Sequence, residues 1–378
     1  MEYLRKFDFY KLLEKKSLFV FGARSTGKTY WIKKTLPKDA LYISLLDPEF
    51  SLRLGEDPSL LKNMVKNKKY VVIDEIQKLP ILLDVVHTLI EEKNTHFLMT
   101  GSSARKLRRS YANMLGGRAL NKNFFPLTFA EIPEFDLEKY LNIGGLPRIY
   151  QSEEPDLELQ AYVSSYLELE IKAESYVRNL APFHRFIKVA ALSNGELINY
   201  ASISSDAAVP ATTVKEYFSI LEDTLFGFTV EPWLESKKRK AIQTAKFYFF
   251  DPGVSNTIIG VSQIQKSSDL WGKAFEQFIA MELRAYLSYQ MKKQKLFFWR
   301  TENKQEVDFV IGEDVAIEVK STKRVSKNHL KGLLALKEEK IIKKYFLISE
   351  DPIERVVDDI KIIKWDTFLK QLWQGKIL

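Results

Sequence analysis

The feature that most constrains the fold is the loop Gly22-Ala-Arg-Ser-Thr-Gly-Lys-Thr29 near the start of the chain. An apolar run over Leu18–Phe21 precedes this loop and predicts a buried strand, while the residues Thr29–Thr35 predict a helix after it. The pattern G-x-x-x-x-G-K-[ST] between a strand and a helix is typical of a loop whose backbone N–H groups hold phosphate oxygens. The sequence therefore predicts an α/β unit with a phosphate-binding loop after its first strand.

Each residue type in this loop suits the binding of a nucleoside triphosphate. Lys28 is expected to reach the β- and γ-phosphates, and the Thr29 hydroxyl is expected to ligate Mg²⁺. The N-terminus of the following helix adds partial positive charge. The predicted contacts to ATP are Gly22, Ala23, Arg24, Ser25, Thr26, Gly27, Lys28 and Thr29, together with Asp74 and Ser102 from later in the chain.

A second apolar strand, Tyr70–Ile73, ends in the carboxylates of Asp74 and Glu75. We expect Asp74 to hold Mg²⁺ through water and Glu75 to orient or deprotonate the attacking water, so the pair predicts hydrolysis rather than binding alone. Leu41–Ser44 and Phe97–Thr100 are further short apolar runs, and helical patterns lie between the strands. This alternation predicts a doubly wound parallel sheet.

Polar and basic residues after the last of these strands complete the predicted nucleotide site. Ser102 is a candidate contact to the γ-phosphate, and the alternative is an ordinary turn. An arginine in this region is a candidate to reach the ATP of a neighbouring subunit and to stabilise charge in the transition state. The candidates are Arg105, Arg108, Arg109 and Arg118.

Residues 155–235 are predicted to be mostly helical. Leu197–Ala208 and Thr213–Thr224, on either side of a Val209-Pro210 break, resemble a helix-turn-helix, and Thr213 is expected to cap the second helix. Phe226–Val230 is a candidate wing strand. The second helix is acidic, and phosphate attraction dominates DNA affinity, so we expect this segment to be structural rather than a reader of DNA.

Two apolar strands near the C-terminus, Glu306–Ile311 and Val315–Lys320, predict a β-hairpin. Strand periodicity puts Glu318 and Lys320 on one face, with Asp308 on the neighbouring strand. The predicted chemistry is phosphodiester hydrolysis, in which Asp308 and Glu318 bind Mg²⁺ or Mn²⁺ and Lys320 orients water. A further predicted metal ligand, Glu276, lies on the predicted helix 272–289, and the alternative is a structural hairpin joined by salt bridges.

The charge distribution points to a polyanionic partner for the last third of the chain. The net charge is +8, and residues 237–378 carry 27 Lys and Arg against 18 Asp and Glu. Such a basic region indicates nucleic acid, with a lysine-rich solvated surface as the alternative. The chain has no cysteine, no secretory signal and no long apolar run, so we expect a cytoplasmic protein without a membrane span.

Several motifs together resemble the AAA+-type ATPases of archaea and bacteria whose C-terminal region belongs to the DUF4143 group. They are Gly22–Thr29, Ile73-Asp-Glu-Ile-Gln77, Leu98-Met-Thr-Gly-Ser-Ser103, Gly117-Arg118 and Gly144-Gly-Leu-Pro147. The resemblance implies a RecA-like AAA+ parallel-sheet ATPase domain over residues 1–150 and a winged-helix domain over 151–240. It further implies a PD-(D/E)XK nuclease-like α/β domain over 241–378, with Arg118 as the arginine that acts in trans.

Taken together, these features predict an oligomeric ATPase that couples ATP hydrolysis to the binding and Mg²⁺-dependent cleavage of linear or branched DNA. A second hypothesis is a regulatory ATP switch whose C-terminal domain only binds nucleic acid or a protein partner. A third is a defence system that degrades nucleic acid when triggered. Divalent-dependent cleavage separates the first and third hypotheses from the second.

Overall fold

The computed structural model describes residues 2–93, 95–103, 115–166 and 180–378. The chain divides into two compact units. The nucleotide unit comprises Leu4–Pro126 and Ile220–Phe226, and the C-terminal unit comprises Met1–Tyr3, Leu127–Ser219 and Gly227–Leu378. The predicted three-part division at residues 150 and 240 stays a prediction.

The nucleotide unit is built on a five-stranded parallel sheet in the order β2-β3-β4-β1-β5. Its strands are β1 (Ser17–Phe21), β2 (Leu41–Ser44), β3 (Tyr70–Asp74), β4 (His96–Gly101) and β5 (Ala119–Asn123). This order inserts β4 between β1 and β3, so the carboxyl ends of these three strands lie side by side. The predicted parallel-sheet α/β unit is confirmed, and it is consistent with an AAA ATPase fold.

Apolar side chains on both faces of this sheet make up its core. The strands β1 and β3 are buried along their whole length, as expected for parallel strands covered by helices on both faces. The described helices of this part are Phe9–Leu13, Lys28–Thr35, Pro48–Glu56, Leu60–Met64 and Leu82–Lys93, with a 3₁₀ turn at Ile76–Lys78. The helix Leu82–Lys93 buries Leu83, Val86 and Leu89 against the sheet.

The C-terminal unit contains an eight-stranded mixed sheet in the order β12-β13-β11-β10-β9-β8-β6-β7. Its strands are β6 (Gly227–Pro232), β7 (Lys246–Phe249), β8 (Leu296–Arg300), β9 (Glu306–Ile311), β10 (Val315–Lys320), β11 (Lys344–Ser349), β12 (Arg355–Val357) and β13 (Ile360–Lys364). The predicted hairpin is confirmed as β9 and β10, which pair antiparallel with Ile317 opposite Phe309. The candidate wing strand is β6, which pairs with β7 and with β8.

Ten α-helices are described between residues 127 and 378. They are Leu137–Ile143, Pro147–Tyr150, Pro155–Tyr166, Leu180–Leu192, Tyr200–Ala207, Ala211–Asp223, Pro252–Ile258, Asp269–Tyr289, Lys331–Lys337 and Trp365–Trp373. The two helices of the predicted helix-turn-helix are present, but the predicted cap at Thr213 is wrong. The second helix begins at Ala211, and the Val214 N–H donates to the Pro210 carbonyl at 3.0 Å, so Thr213 lies inside the first turn.

The Gly144-Gly145 turn has a structural role, because it receives the carboxylate of Asp251. Asp251 is fully buried and accepts the N–H of Gly145 at 2.7 Å and that of Val254 at 3.1 Å. Burial raises the pKa of Asp251 to about 6, while hydrogen bonds from these N–H groups act to lower it. Gly144 has a φ of 76°, and a Cβ there would lie 2.5 Å from Asp251 Oδ2 and closer still to Oδ1.

A second buried carboxylate, Glu282, ties three segments of the C-terminal unit together. It lies on the helix Asp269–Tyr289 and accepts the Phe129 N–H at 2.7 Å and the Trp373 indole N–H at 2.8 Å. Burial raises the pKa of Glu282 to about 8. Over the described ranges, no helix has the length and apolar character needed to cross a membrane.

Candidate functional site

The predicted phosphate loop lies between β1 and the helix Lys28–Thr35, at the carboxyl edge of the parallel sheet. Its backbone turns through positive φ values of 61° at Ser25 and 88° at Gly27. The buried Lys28 ammonium donates to the carbonyls of Gly22 at 2.5 Å and Ala23 at 2.9 Å. Lys28 is therefore folded back over the loop that the sequence assigns to the phosphates.

Arg5 supports this loop and was not singled out from the sequence. Its guanidinium donates to the carbonyls of Thr26 at 2.8 Å and Phe125 at 2.5 Å, and it lies 4.1 Å from the centroid of the Phe124 ring. The same region excludes a side chain at Gly22, because a Cβ there would overlap the Phe124 carbonyl oxygen. One arginine among many charged residues near the N-terminus gives no signal in a single sequence.

Asp74, at the end of β3, is the centre of a hydrogen-bond network that joins three strands. Its Oδ2 accepts the hydroxyls of Thr29 at 3.2 Å and Tyr42 at 2.5 Å, and its Oδ1 accepts the hydroxyl of Thr100. The structure thus brings together Thr29 and Asp74, the pair predicted to hold Mg²⁺. Tyr42 was missed by sequence reasoning, and its pKa is raised by burial and by its bond to Asp74.

Glu75 follows Asp74 in the left-handed region, with a φ of 61°. The Glu75 N–H donates to Thr100 Oγ1 at 3.2 Å. The side-chain amide of Gln77 donates to Glu75 Oε2 and, at 3.2 Å, to Ser102 Oγ. The predicted water-activating carboxylate and the predicted phosphate contact Ser102 are therefore joined through Gln77, which the sequence motif contains but sequence reasoning gave no role.

Among the candidate arginines, Arg105, Arg108 and Arg109 lie outside the described residues. Arg118 forms an exposed ion pair with Glu91, to which its Nε donates at 2.8 Å. This hydrogen bond lowers the pKa of Glu91. That Arg118 acts on the ATP of a neighbouring subunit stays a prediction.

In the C-terminal unit the hairpin β9–β10 brings Asp308, Glu318 and Lys320 together. Lys320 Nζ lies 2.6 Å from Glu318 Oε1 and 3.5 Å from Asp308 Oδ2, and Asp308 Oδ2 also accepts the Val319 N–H at 2.8 Å. The other oxygen of Glu318, Oε2, is buried and has no hydrogen-bond partner among the described residues. Burial, and then repulsion from Asp308, raises the pKa of Glu318 to about 8.

Glu276 reaches the same site from the helix Asp269–Tyr289. Its Oε1 accepts the Lys246 ammonium at 3.1 Å and the Tyr248 hydroxyl at 2.6 Å. Burial raises the pKa of Glu276, the positive charge of Lys246 opposes that shift, and the charge of Asp308 adds to it. A lysine therefore occupies the Glu276 carboxylate, and the role of Glu276 as a metal ligand stays a prediction.

Lys246, on β7, is the residue of this site that sequence reasoning missed. It is 4% exposed and forms a second ion pair with Glu306 at 2.6 Å, and Glu306 pairs in turn with Arg300 at 2.9 Å. Burial acts to lower the pKa of Lys246, but Glu276 and its other acidic neighbours raise it well above the ordinary value. Lys246 is therefore a permanent positive charge beside the predicted metal ligands.

A cleft of about 450 Å³ opens onto this ion-pair network. One wall is the loop around residues 194–199, and the remaining lining residues are Lys246, Lys273, Glu276, Arg300 and Glu306. Lys273 is paired with Glu196 at 2.5 Å. The cleft thus carries both signs of charge, and its charged side chains are paired with one another.

A divalent cation at the hairpin site would need several ligand side chains grouped around it. In the part of the chain that the structure describes, no three acidic or histidine side chains are grouped as a metal would require. Glu276 is bonded to Lys246, and both Glu318 Oε1 and Asp308 Oδ2 are paired with Lys320, while Glu318 Oε2 has no hydrogen-bond partner among the described residues. The ligand set Glu276, Asp308 and Glu318 stays a prediction.

Three parts of the chain match described protein families. Residues 14–133 match an AAA domain, residues 134–265 match the domain of unknown function DUF8612, and residues 271–368 match the domain of unknown function DUF4143. The chain therefore contains an AAA domain and a DUF4143 domain, which confirms that part of the resemblance. An AAA domain indicates nucleotide binding, usually with Mg²⁺, and ATPase activity.

Proteins of Methanocaldococcus jannaschii and Haemophilus influenzae are similar to this chain in sequence. Two uncharacterized proteins of Methanocaldococcus jannaschii are 25% and 26% identical to this chain, over 93% and 96% of it and over 86% and 87% of their own lengths. An uncharacterized protein of Haemophilus influenzae is 25% identical over 65% of this chain and 63% of its own length. None of these names carries an activity.

Proposed function

We propose that the nucleotide unit hydrolyses ATP at the carboxyl edge of its parallel sheet. The observation that supports this most is the network in which Asp74, at the end of β3, accepts the hydroxyls of Thr29, on the helix after the phosphate loop, and of Thr100, on β4. A carboxylate and two hydroxyls thereby lie together beside the phosphate loop. This set matches the needs of phosphoryl transfer, in which catalysis is mainly positioning and charge stabilisation.

In this proposal each side chain has a defined task. Lys28 exchanges its bonds to the loop carbonyls for bonds to the β- and γ-phosphates. Thr29 and Asp74 hold Mg²⁺, which when bound neutralises charge on the phosphate oxygens. Glu75 accepts a proton from the attacking water, and Ser102 contacts the γ-phosphate.

The test is ATP turnover by the purified protein and by two variants. Lys28→Ala is expected to lose both nucleotide binding and turnover, whereas Glu75→Gln is expected to bind ATP and fail to hydrolyse it. Lys34→Ala is the matched control, because Lys34 is an exposed lysine on the same helix. Equal turnover by Lys28→Ala and Lys34→Ala would contradict the proposal.

We further propose that the C-terminal unit cleaves phosphodiester bonds in DNA, linear or branched, with a divalent cation. The observation that favours this is the unpartnered Oε2 of Glu318, which lies on the same hairpin as Asp308 and Lys320. In this proposal Asp308 and Glu318 hold Mg²⁺ or Mn²⁺, which when bound polarises the scissile phosphate. Lys320 orients the attacking water, and ATP turnover controls access to the cutting site.

Cleavage is tested on labelled linear, single-stranded and four-way branched DNA with Mg²⁺ or Mn²⁺, with and without ATP. Asp308→Ala and Lys320→Ala are expected to abolish cleavage, and Lys323→Ala is the control because it removes an exposed lysine three residues beyond the strand. Absence of cleavage under every condition, with ATP hydrolysis intact, would instead favour a regulatory switch whose C-terminal domain only binds a partner.

The proposal also includes a homo-oligomer in which Arg118 acts on the ATP of a neighbouring subunit. Mixing Arg118→Ala with Lys28→Ala tests this arrangement, because a mixed interface pairs an intact phosphate loop with an intact arginine. Recovered turnover in the mixture supports action in trans. No recovery, with each variant folded, would assign Arg118 to its ion pair with Glu91 alone.

A further inference from the structure

The side chain of Gln77 lies where the ends of β3 and β4 meet. Gln77 is in the 3₁₀ turn Ile76–Lys78, directly after Glu75. Ile76 is completely buried in the core, and the Lys78 N–H donates to the Glu75 carbonyl at 2.9 Å, so the turn is held on both sides of Gln77. A side chain anchored in this way has few alternative positions.

The contacts of the Gln77 amide fix its orientation. One NH₂ group donates both to Glu75 Oε2 and, at 3.2 Å, to Ser102 Oγ. A carboxylate only accepts hydrogen bonds, so the nitrogen and not the oxygen of the amide must face Glu75. Gln77 Oε1 then points to Gly101, where a Cβ would lie 2.5 Å from it.

Because Gly101 has no side chain, the amide of Gln77 can occupy the space beside it. Gly101 is the last residue of β4 and pairs with Phe21, the last residue of the strand that leads into the phosphate loop. Ser102 is the next residue after Gly101, so the Gln77 amide links the end of β4, beside the phosphate loop, to Glu75. Gln77 Oε1 itself is buried without a hydrogen-bond partner among the described residues.

We propose that Gln77 is a positioning residue for ATP hydrolysis, which holds the Glu75 carboxylate in register with Ser102 at the end of β4. The inference rests on the proposed ATPase function and adds the link between the γ-phosphate contact and the group that activates water. Ser102 fixes the amide, the amide fixes Glu75, and binding of nucleotide at the loop does not require either contact. Removal of the amide therefore slows turnover and leaves nucleotide affinity unchanged.

The experiment compares Gln77→Met with the wild type, because methionine keeps the length of the side chain and lacks the amide. A hydrogen bond to a charged group has a strength that corresponds to a loss of about 10- to 100-fold in kcat. The affinity for a fluorescent ATP analogue is expected to stay within about 3-fold of the wild type.

Three further variants separate positioning from a merely structural role. Lys78→Met, an exposed position in the same turn, is expected to keep the wild-type kcat. Ser102→Ala is expected to lower kcat, and the double variant with Gln77→Met is expected to be no slower than the slower single variant.

The outcomes distinguish the inference from the function on which it rests. Wild-type protein that binds ATP but never hydrolyses it overturns both. Wild-type turnover together with an unchanged kcat in Gln77→Met overturns the role of Gln77 alone. A fall in kcat with the same fall in nucleotide affinity assigns Gln77 to folding of the site, which also overturns the inference.

Discussion

Substitution of Thr100 by valine removes one hydroxyl from the centre of the nucleotide unit while keeping the branched shape of the side chain. Thr100 is completely buried, donates to Asp74 Oδ1 and accepts the Glu75 N–H at 3.2 Å. A hydrogen bond to a charged group contributes about 1.5–3 kcal/mol and one between neutral groups about 0.5–1.5 kcal/mol. We therefore expect Thr100→Val to lower the free energy of unfolding by about 2–4 kcal/mol.

The effect on turnover follows from the same two contacts. Asp74 keeps its bonds to Thr29 and Tyr42 but loses the donor on its other oxygen, so its carboxylate is held through one oxygen only. The Glu75 backbone loses its link to β4 at the same time. Misplacement of both acidic groups is expected to lower kcat for ATP by about 10- to 100-fold, with the affinity for nucleotide changed by less than about 3-fold.

The matched control is Thr95→Val, which makes the same chemical change just before the other end of β4. Thr95 is also buried, and its hydroxyl donates to the Lys68 carbonyl at 3.2 Å. The control is expected to lower the free energy of unfolding by about 1 kcal/mol and to leave kcat unchanged. ATP turnover, binding of a fluorescent nucleotide and urea denaturation are measured on both variants. Equal kcat values for the two variants would refute the assignment of Thr100 to the hydrolytic site.

Three further predictions concern the C-terminal unit, which contains five of the six tryptophans and can be followed by their fluorescence during urea denaturation. Gly144→Ala is expected to lower the free energy of unfolding by at least about 3 kcal/mol, because its Cβ would overlap a buried carboxylate. Gly260 has a similar φ of 78° with open space around it, so Gly260→Ala is expected to lower it by about 1 kcal/mol. Equal losses in the two variants would contradict the steric explanation. The folded state raises the pKa of Glu282 to about 8, so the folded protein binds a proton that the unfolded chain releases. Wild-type stability is therefore expected to fall between pH 4.5 and 8 by on the order of 5 kcal/mol at most. Glu282→Gln is expected to remove this pH dependence of the stability. If the stability of that variant falls with pH as steeply as that of the wild type, the Glu282 carboxyl titrates normally. Lys246→Met leaves the partly buried Glu276 and Glu306 without their shared cation and is expected to lower the free energy of unfolding by about 3–5 kcal/mol at pH 7. A neutral substitution would mean that the ion pairs contribute nothing net.

Local patterns were sufficient for the parts of the fold in which neighbours in sequence are neighbours in space. The strands β2, β9 and β10 have the bounds that their apolar runs predict, because each run is short and is ended by polar or turn-forming residues. The strand β5 was missed, because Ala119–Asn123 contains polar residues and, among the described strands, pairs with β1 alone. Its apolar content is too low to distinguish it from a loop.

The candidate sites were predictable to the extent that a motif contains their residues. The phosphate loop, Asp74 and the hairpin carboxylates follow from spacing and strand periodicity. Arg5, Tyr42 and Lys246 reach their sites from 21, 32 and 30 residues away along the chain, and no local pattern records such pairings. A buried lysine in particular appears in a sequence as one more surface charge until its acidic partners are located.

The pairing of β6 with β8 determines where this chain can be divided. The strand β7 is hydrogen-bonded to β6, and β6 joins β8 through Glu231 and Pro232 and through the Trp233 N–H, which donates to the Phe298 carbonyl at 2.7 Å. A fragment that begins at residue 241 therefore keeps β7 without its partner and opens a hydrogen-bonding edge on β8. Such an edge is a template for pairing between molecules, so that fragment is expected to self-associate. A fragment that begins before Gly227 retains the strand that covers this edge.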